Sequence, residues 1–163
     1  MKKLYIVRHA KSSWDYPELS DEERPLNKRG KRDAPLMAAF IADKIECPDV
    51  FVCSHAKRAI KTAEAFSRAF DLSTIDIWQN SELYHASSSV WKKVVLHLNN
   101  KYNSAMLFGH NPGLTNFVNQ LTGSNIFNIP TCGVAAIELD VSSWEEITNI
   151  HGVLDFYHYP KGI

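Results

Sequence analysis

The chain has 163 residues, of which 45% are hydrophobic and 22% charged, a balance that suits one globular domain over 1–163 and excludes a disordered chain. Lysine plus arginine equals aspartate plus glutamate, 18 against 18, so no electrostatic footprint for nucleic acid or an anionic membrane is present. The cysteines, Cys47, Cys53 and Cys132, form no C-x-x-C pair and no disulfide framework. The apolar run before Arg8 is too short for a signal-peptide core or a membrane span, and the expected compartment is the cytoplasm.

Strand-like and helix-like stretches alternate along the chain. Leu4–Val7 is a short apolar run and reads as a fully buried strand. A charged stretch follows, in which Arg24, Lys28, Arg29, Lys31 and Arg32 mix with Glu18, Asp21, Glu22 and Glu23, as on a solvated face. Lys28–Ile45 is helix-like, with an apolar set at Leu36, Ala39, Phe40 and Ile41, and Pro35 should kink it or mark its true start. Asp49–Cys53 is a second strand. Lys57–Phe70 carries Ala59, Ile60, Ala63, Phe66, Ala69 and Phe70 on one helical stripe.

Ser73–Trp78 is a weaker, alternating strand candidate. Ser88–Asn99 is helical through Val90, Trp91, Val94, Val95 and Leu98, and Ala105–Phe108 is a further buried strand. Gly113–Leu121 is a helix behind Asn111-Pro112, a cap and first-turn proline. Val134–Leu139 and Ile147–Phe156 read as two closing strands. The alternation implies an α/β fold, with a mainly parallel sheet covered by helices on both faces. Ligands in such sheets bind beyond the carboxyl ends of the strands.

Those ends carry chemistry. Arg8 and His9 follow the first strand; Ser54, His55 and, one turn on, Arg58 follow the second; Gly109 and His110 follow the strand at Ala105–Phe108. Two histidines and two arginines thus meet on one rim, whereas each alone would read as an ordinary loop or surface residue. A phosphoryl group carries close to two charges, which two planar guanidinium groups can grip. A neutral imidazole whose other ring nitrogen is held as a donor is a competent nucleophile. The spacings H-E-x-x-H, H-x-H and Cys-His are absent from the sequence, so no zinc site is expected.

The motifs resemble those of a known family. Leu4-Tyr5-Ile6-Val7-Arg8-His9-Ala10-Lys11-Ser12 is similar to the Arg-His-Gly signature of the histidine phosphatase superfamily, which includes phosphoglycerate mutases. Cys53-Ser54-His55-Ala56-Lys57-Arg58-Ala59-Ile60-Lys61-Thr62-Ala63 resembles its second motif, and Gly109-His110-Asn111-Pro112 its late glycine-histidine motif. Arg24-Pro25-Leu26-Asn27-Lys28-Arg29-Gly30 resembles a connecting motif of the SixA-like phosphohistidine phosphatases. The matches run in order from Leu4 to about Asn116, and the tail agrees only by its strand pattern.

The resemblance implies a three-layer α/β/α sandwich with a mixed sheet and a single histidine phosphatase domain over 1–163. It implies that His9 is the phosphorylated nucleophile, that Arg8, Arg58 and His110 complete the phosphate pocket, and that neither metal nor cofactor takes part. Ala10 replaces the usual glycine, and Asp15 stands where mutase-like members often place an asparagine against phosphate, a departure that favours phosphatases. Glu82 occupies the position that carries the proton donor in many relatives, with Asp15 the second candidate; a phosphohistidine substrate, whose imidazole leaves easily, needs such an acid least. His85 is close enough in sequence to reach the rim. The segment Ser12–Leu26 is short and makes no lid, which suits a phosphohistidine displayed on another protein. The alternatives are a phosphatase of small phosphomonoesters with Glu82 as acid, and a phosphate-binding module without turnover.

Overall fold

A computed structural model describes residues 1–163 apart from the side chain of Ile75. The elements are β1 (Lys2–Arg8), α1 (Lys28–Ala42), β2 (Val50–Cys53), α2 (Lys57–Ala69), β3 (Ile77–Gln79), α3 (Ser88–Leu96), β4 (Ser104–Gly109), α4 (Gly113–Thr122), β5 (Val134–Leu139) and β6 (Val153–His158). The strands form a six-stranded mixed sheet in the order β3-β2-β4-β1-β5-β6. β3, β2, β4 and β1 are mutually parallel, while β5 runs antiparallel to β1 and β6.

The apolar strand runs are explained by burial on both faces. In β1, Leu4 and Ile6 pack with Trp91, Leu114 and Phe117 of α3 and α4, while Tyr5 and Val7 pack with Met37, Ile41 and Phe66 of α1 and α2. The same alternation recurs in β4, where Ala105 and Leu107 face the first layer and Met106 and Phe108 the second. A strand clamped between two helical layers has no polar side to show, so it reads as continuous hydrophobicity. The fold is a three-layer α/β/α sandwich.

Four local expectations need correction. The buried stripe of α1 is Ala34, Met37, Ala38 and Ile41, whereas Leu36 is 50% exposed. Pro35 does not break the helix; it lies on the exposed face, where the carbonyl it leaves without an intrahelical partner can be hydrated. The helix starts at Lys28 because the Asn27 side chain caps it by accepting from Gly30 N–H at 2.9 Å. Ser73–Trp78 is strand only from Ile77, after a 3-10 turn at Thr74–Asp76. The final strand begins at Val153, because Trp144–Asn149 forms a 3-10 segment whose Trp144 and Ile147 pack on the sheet rather than in it.

The order β2-β4-β1 places the three chemically loaded strand ends side by side. Gly30 brings α1 against the segment that follows β1: a Cβ there would lie 2.1 Å from the Lys11 carbonyl oxygen, which accepts from Asn27 N–H at 2.9 Å. Ala10 fits without strain. It is fully buried, lies outside the left-handed region, and its N–H donates to Thr62 Oγ1 at 2.9 Å.

Candidate active site

A cavity of about 260 Å³ opens at the carboxyl ends of β1, β2 and β4, lined by Arg8, His9, Lys11, Ser12, Trp14, Asp21, Arg24, Arg58, His85, His110, Asn111 and Thr131. The floor is His9, His110, Arg8 and Arg58. His9 is 8% exposed, and its Nδ1 lies 2.7 Å from the Ala10 carbonyl oxygen. A carbonyl only accepts, so Nδ1 carries the proton and Nε2 the lone pair. Burial, reinforced by the Arg58 and Arg8 charges and only partly offset by the Ala10 hydrogen bond, pushes His9 down to about 3. The imidazole is therefore neutral at physiological pH.

The His110 ring centroid lies 5.1 Å from that of His9. His110 Nδ1 is 3.5 Å from Arg58 Nη2, which can only donate, so Nε2 carries the proton and donates to Ser54 Oγ at 2.8 Å. Burial and the neighbouring His9 and Arg58 lower its pKa as well. Arg58 enters because residue 58 lies on the first turn of α2 facing the sheet, where it is 2% exposed. Thr62, one turn on, accepts from Ala10 N–H and donates to the Arg58 carbonyl at 2.8 Å, locking α2 to the segment that carries His9. Arg8 donates from Nη1 to the Ile129 carbonyl at 2.9 Å, and its Nε is buried with no hydrogen-bond partner among the described residues. The segment before β5 supports this side: Cys132 N–H is 3.0 Å from the carbonyl oxygens of both Arg8 and His9.

The rim is organised by Asp21. Its Oδ2 accepts from Arg58 Nη2 at 2.9 Å, from the Tyr84 hydroxyl at 2.5 Å and from His85 Nε2 at 3.1 Å, and its Oδ1 accepts from Arg24 Nη1 at 2.9 Å. Partial burial pulls the carboxyl upward, but the hydrogen bonds from Tyr84, Arg58 and Arg24 outweigh it and hold Asp21 well below the usual carboxylate range. Arg24 also donates to the Ser13 carbonyl at 3.0 Å and to Ser12 Oγ at 2.6 Å, and stacks 3.3 Å from the exposed Trp14 ring.

Arg8, His9, Arg58 and His110 are thus brought together as the strand ends suggested. Glu82 is not among them. It lines a separate groove with Trp78 and Lys93, and its Oε2 lies 3.5 Å from Lys93 Nζ. Glu82 lies in the 3-10 turn Ser81–Leu83 after the edge strand β3 and is turned toward Lys93 of α3, whereas the same segment reaches the rim only at Tyr84 and His85. Asp15 is exposed and outside the cavity lining. Arg24 and Asp21, expected on a solvated face, belong to the site instead; Arg24 is 8% exposed. His55 lies outside the cavity lining and pairs with Glu22 at 3.2 Å. Among the described residues no group of His, Cys, Asp or Glu side chains is arranged to hold a metal ion, and no helix is long and apolar enough to cross a membrane.

The fold has counterparts among known proteins. The profile of the Histidine phosphatase superfamily (branch 1) matches residues 4–105, more than half of the chain. The chain belongs to the histidine phosphatase superfamily. A candidate phosphohistidine phosphatase SixA from Agrobacterium tumefaciens is 28% identical, with a TM-score of 0.84 over 98% of both chains. A protein histidine phosphatase SixA complexed with tungstate has the same fold, with a TM-score of 0.82 at 22% identity over 98% of this chain and 97% of that one. An uncharacterised chloroplastic protein of Arabidopsis thaliana is 28% identical over 159 residues, covering 93% of this chain and 72% of its own. Within the superfamily the resemblance is to the SixA-like branch. Together, the family and its SixA-like neighbours support a phosphatase.

Proposed function

We propose that residues 1–163 act as one histidine phosphatase domain that removes phosphate from phosphohistidine on proteins, through a covalent phospho-His9 intermediate. The observation that carries the reading is the 2.7 Å contact between His9 Nδ1 and the Ala10 carbonyl, on a buried imidazole between two arginines. It holds the nucleophilic lone pair on Nε2 before substrate arrives, so attack needs no prior proton transfer.

The phosphoryl group sits over His9 with its non-bridging oxygens toward Arg8 and Arg58, and His110, which accepts from Arg58, backs that guanidinium. Nε2 attacks phosphorus in line; the N–P bond forms as the bond to the departing imidazole breaks. The arginine charges are fixed in place before the reaction, which favours charge in the transition state without reorganisation cost. Water then attacks phospho-His9, releasing phosphate and restoring the neutral ring. Arg8 and Arg58 neutralise the oxygens in this scheme, so a chelator should leave the rate unchanged. The unpaired Cys47, Cys53 and Cys132 fit a reducing compartment such as the cytoplasm.

The small cavity, lined in part by the exposed Trp14, supports a substrate presented on a protein surface. Turnover of a phosphohistidine peptide should exceed that of sugar phosphates by at least about 100-fold in kcat/KM, a gap of about 2.7 kcal/mol or more in transition-state binding. The opposite order would assign the protein to small phosphomonoesters, and binding of both without hydrolysis would make it a phosphate-recognition module.

A further inference from the structure

The floor contains no group placed to exchange a proton with the leaving group or with the attacking water. Both ring nitrogens of His110 are engaged, by Arg58 and Ser54. Glu82 lies in another groove and Asp15 outside the cavity. The Asp21 carboxylate accepts from four donors, and the Tyr84 hydroxyl is directed to it. Lys11 is a hydrated point charge, suited to attracting an anion.

The geometry points to His85 as the residue that donates this proton and recovers it from water. Its Nε2 faces Asp21 Oδ2 at 3.1 Å, which leaves Nδ1 for exchange with substrate. The side chain lines the cavity, is 53% exposed, and its ring centroid lies 5.2 Å from that of His110. It is held there by a left-handed backbone, φ 49°, which side-chain-bearing residues adopt sparingly and which concentrates at functional sites. The ionisable groups around it are Asp21 from the segment before α1, Tyr84 beside it, His110 from the end of β4, and Arg58 of α2 behind Asp21. Asp21 thus orients His85 as a carboxylate orients a general acid-base histidine.

This deepens, and rests on, the phospho-His9 reading. In the first half-reaction His9 Nε2 bonds to phosphorus, the bond from phosphorus to the leaving atom breaks, and the leaving atom takes a proton from His85 imidazolium. His85 is then neutral. In the second, water bonds to phosphorus, the N–P bond breaks, and the proton lost by water returns to His85. The cycle closes with no net change in the protein.

The test is the His85→Gln variant, whose amide can still face Asp21 but cannot carry a proton, assayed in single turnovers with phenyl phosphate and 4-nitrophenyl phosphate. Phenoxide leaves poorly and needs the proton; nitrophenoxide does not. The expected result is a rate loss of about 100-fold or more with phenyl phosphate and under about 5-fold with 4-nitrophenyl phosphate, with inhibition by orthovanadate unchanged. The wild-type phenyl phosphate rate should fall at high pH in a limb that the variant lacks. Equal losses on both substrates, or none on either, would overturn the role. Labelling separates the two levels: His9 should acquire acid-labile phosphate in both proteins. If it is labelled in both with the same leaving-group dependence, His85 alone is removed from the scheme. If it is labelled in neither, the nucleophile falls and this proposal with it.

Discussion

The floor and the rim of the cavity are built on different principles. The floor, Arg8, His9, Arg58 and His110, hangs from the ends of β1 and β4 and the start of α2, is mostly buried, and keeps its two imidazoles neutral. The rim, Asp21, Tyr84, His85 and the Arg24–Trp14 stack, comes from connecting segments, is more exposed, and is tied together by one ionised carboxylate. A rigid sheet suits groups that must meet a tetrahedral oxyanion in one geometry. Connecting segments suit groups that must match the variable part of the substrate.

If that division holds, damage to the floor should cost most. Arg58→Ala removes a preorganised cation and should lower kcat on the order of 10²- to 10³-fold, about 3–4 kcal/mol in the barrier. A loss confined to KM would mean that Arg58 only gathers substrate.

A smaller effect follows from the neutral imidazoles. His9 is held near 3 by burial, against an ordinary 6.5, and His110 is lowered the same way. Below about 6.5 the unfolded chain therefore binds more protons than the folded one. Stability should be full above 6.5 and fall as pH drops from there toward 3. The depressed Asp21 acts in the same direction, but only below the ordinary carboxylate value of 3.8. Urea midpoints should decline between pH 7 and 4.5, less steeply in His9→Gln; a flat profile would mean that the floor accommodates imidazolium. Smallest of all should be Glu82→Gln, with kcat/KM within about 2-fold of the parent, as for a surface substitution away from the site. A loss comparable to that of Arg58→Ala would move the proton donor back to the end of β3.

This division also governs what could be read from sequence. β1 and β4 were visible because strands buried on both faces are apolar throughout, and the floor residues follow directly from where β1, β2 and β4 end. The rim was obscured because its bonds span long separations: Asp21 meets Tyr84 across 63 positions, and in sequence it sits in a run of mixed charges like any solvated segment. Nothing local distinguishes Arg24, which is buried, from Arg29 and Arg32, which are exposed. Glu82 follows a strand as the floor residues do, but it turns toward Lys93 while Tyr84 and His85 of the same segment reach the rim, and composition does not encode which residue after β3 faces the site. In the tail, Ile147 carries the same apolar signal as a strand residue but packs from a 3-10 segment. His85 follows Tyr84 closely after β3, but its left-handed backbone has no sequence signature.

The nucleophile admits the most direct test. Wild-type protein mixed with a radiolabelled phosphorylated substrate, quenched in base and digested, should carry acid-labile, base-stable phosphate on the peptide containing His9, and His9→Ala should carry none and lose activity on the order of 10⁴-fold or more. Label on any other residue, or activity retained in His9→Ala, would contradict the account.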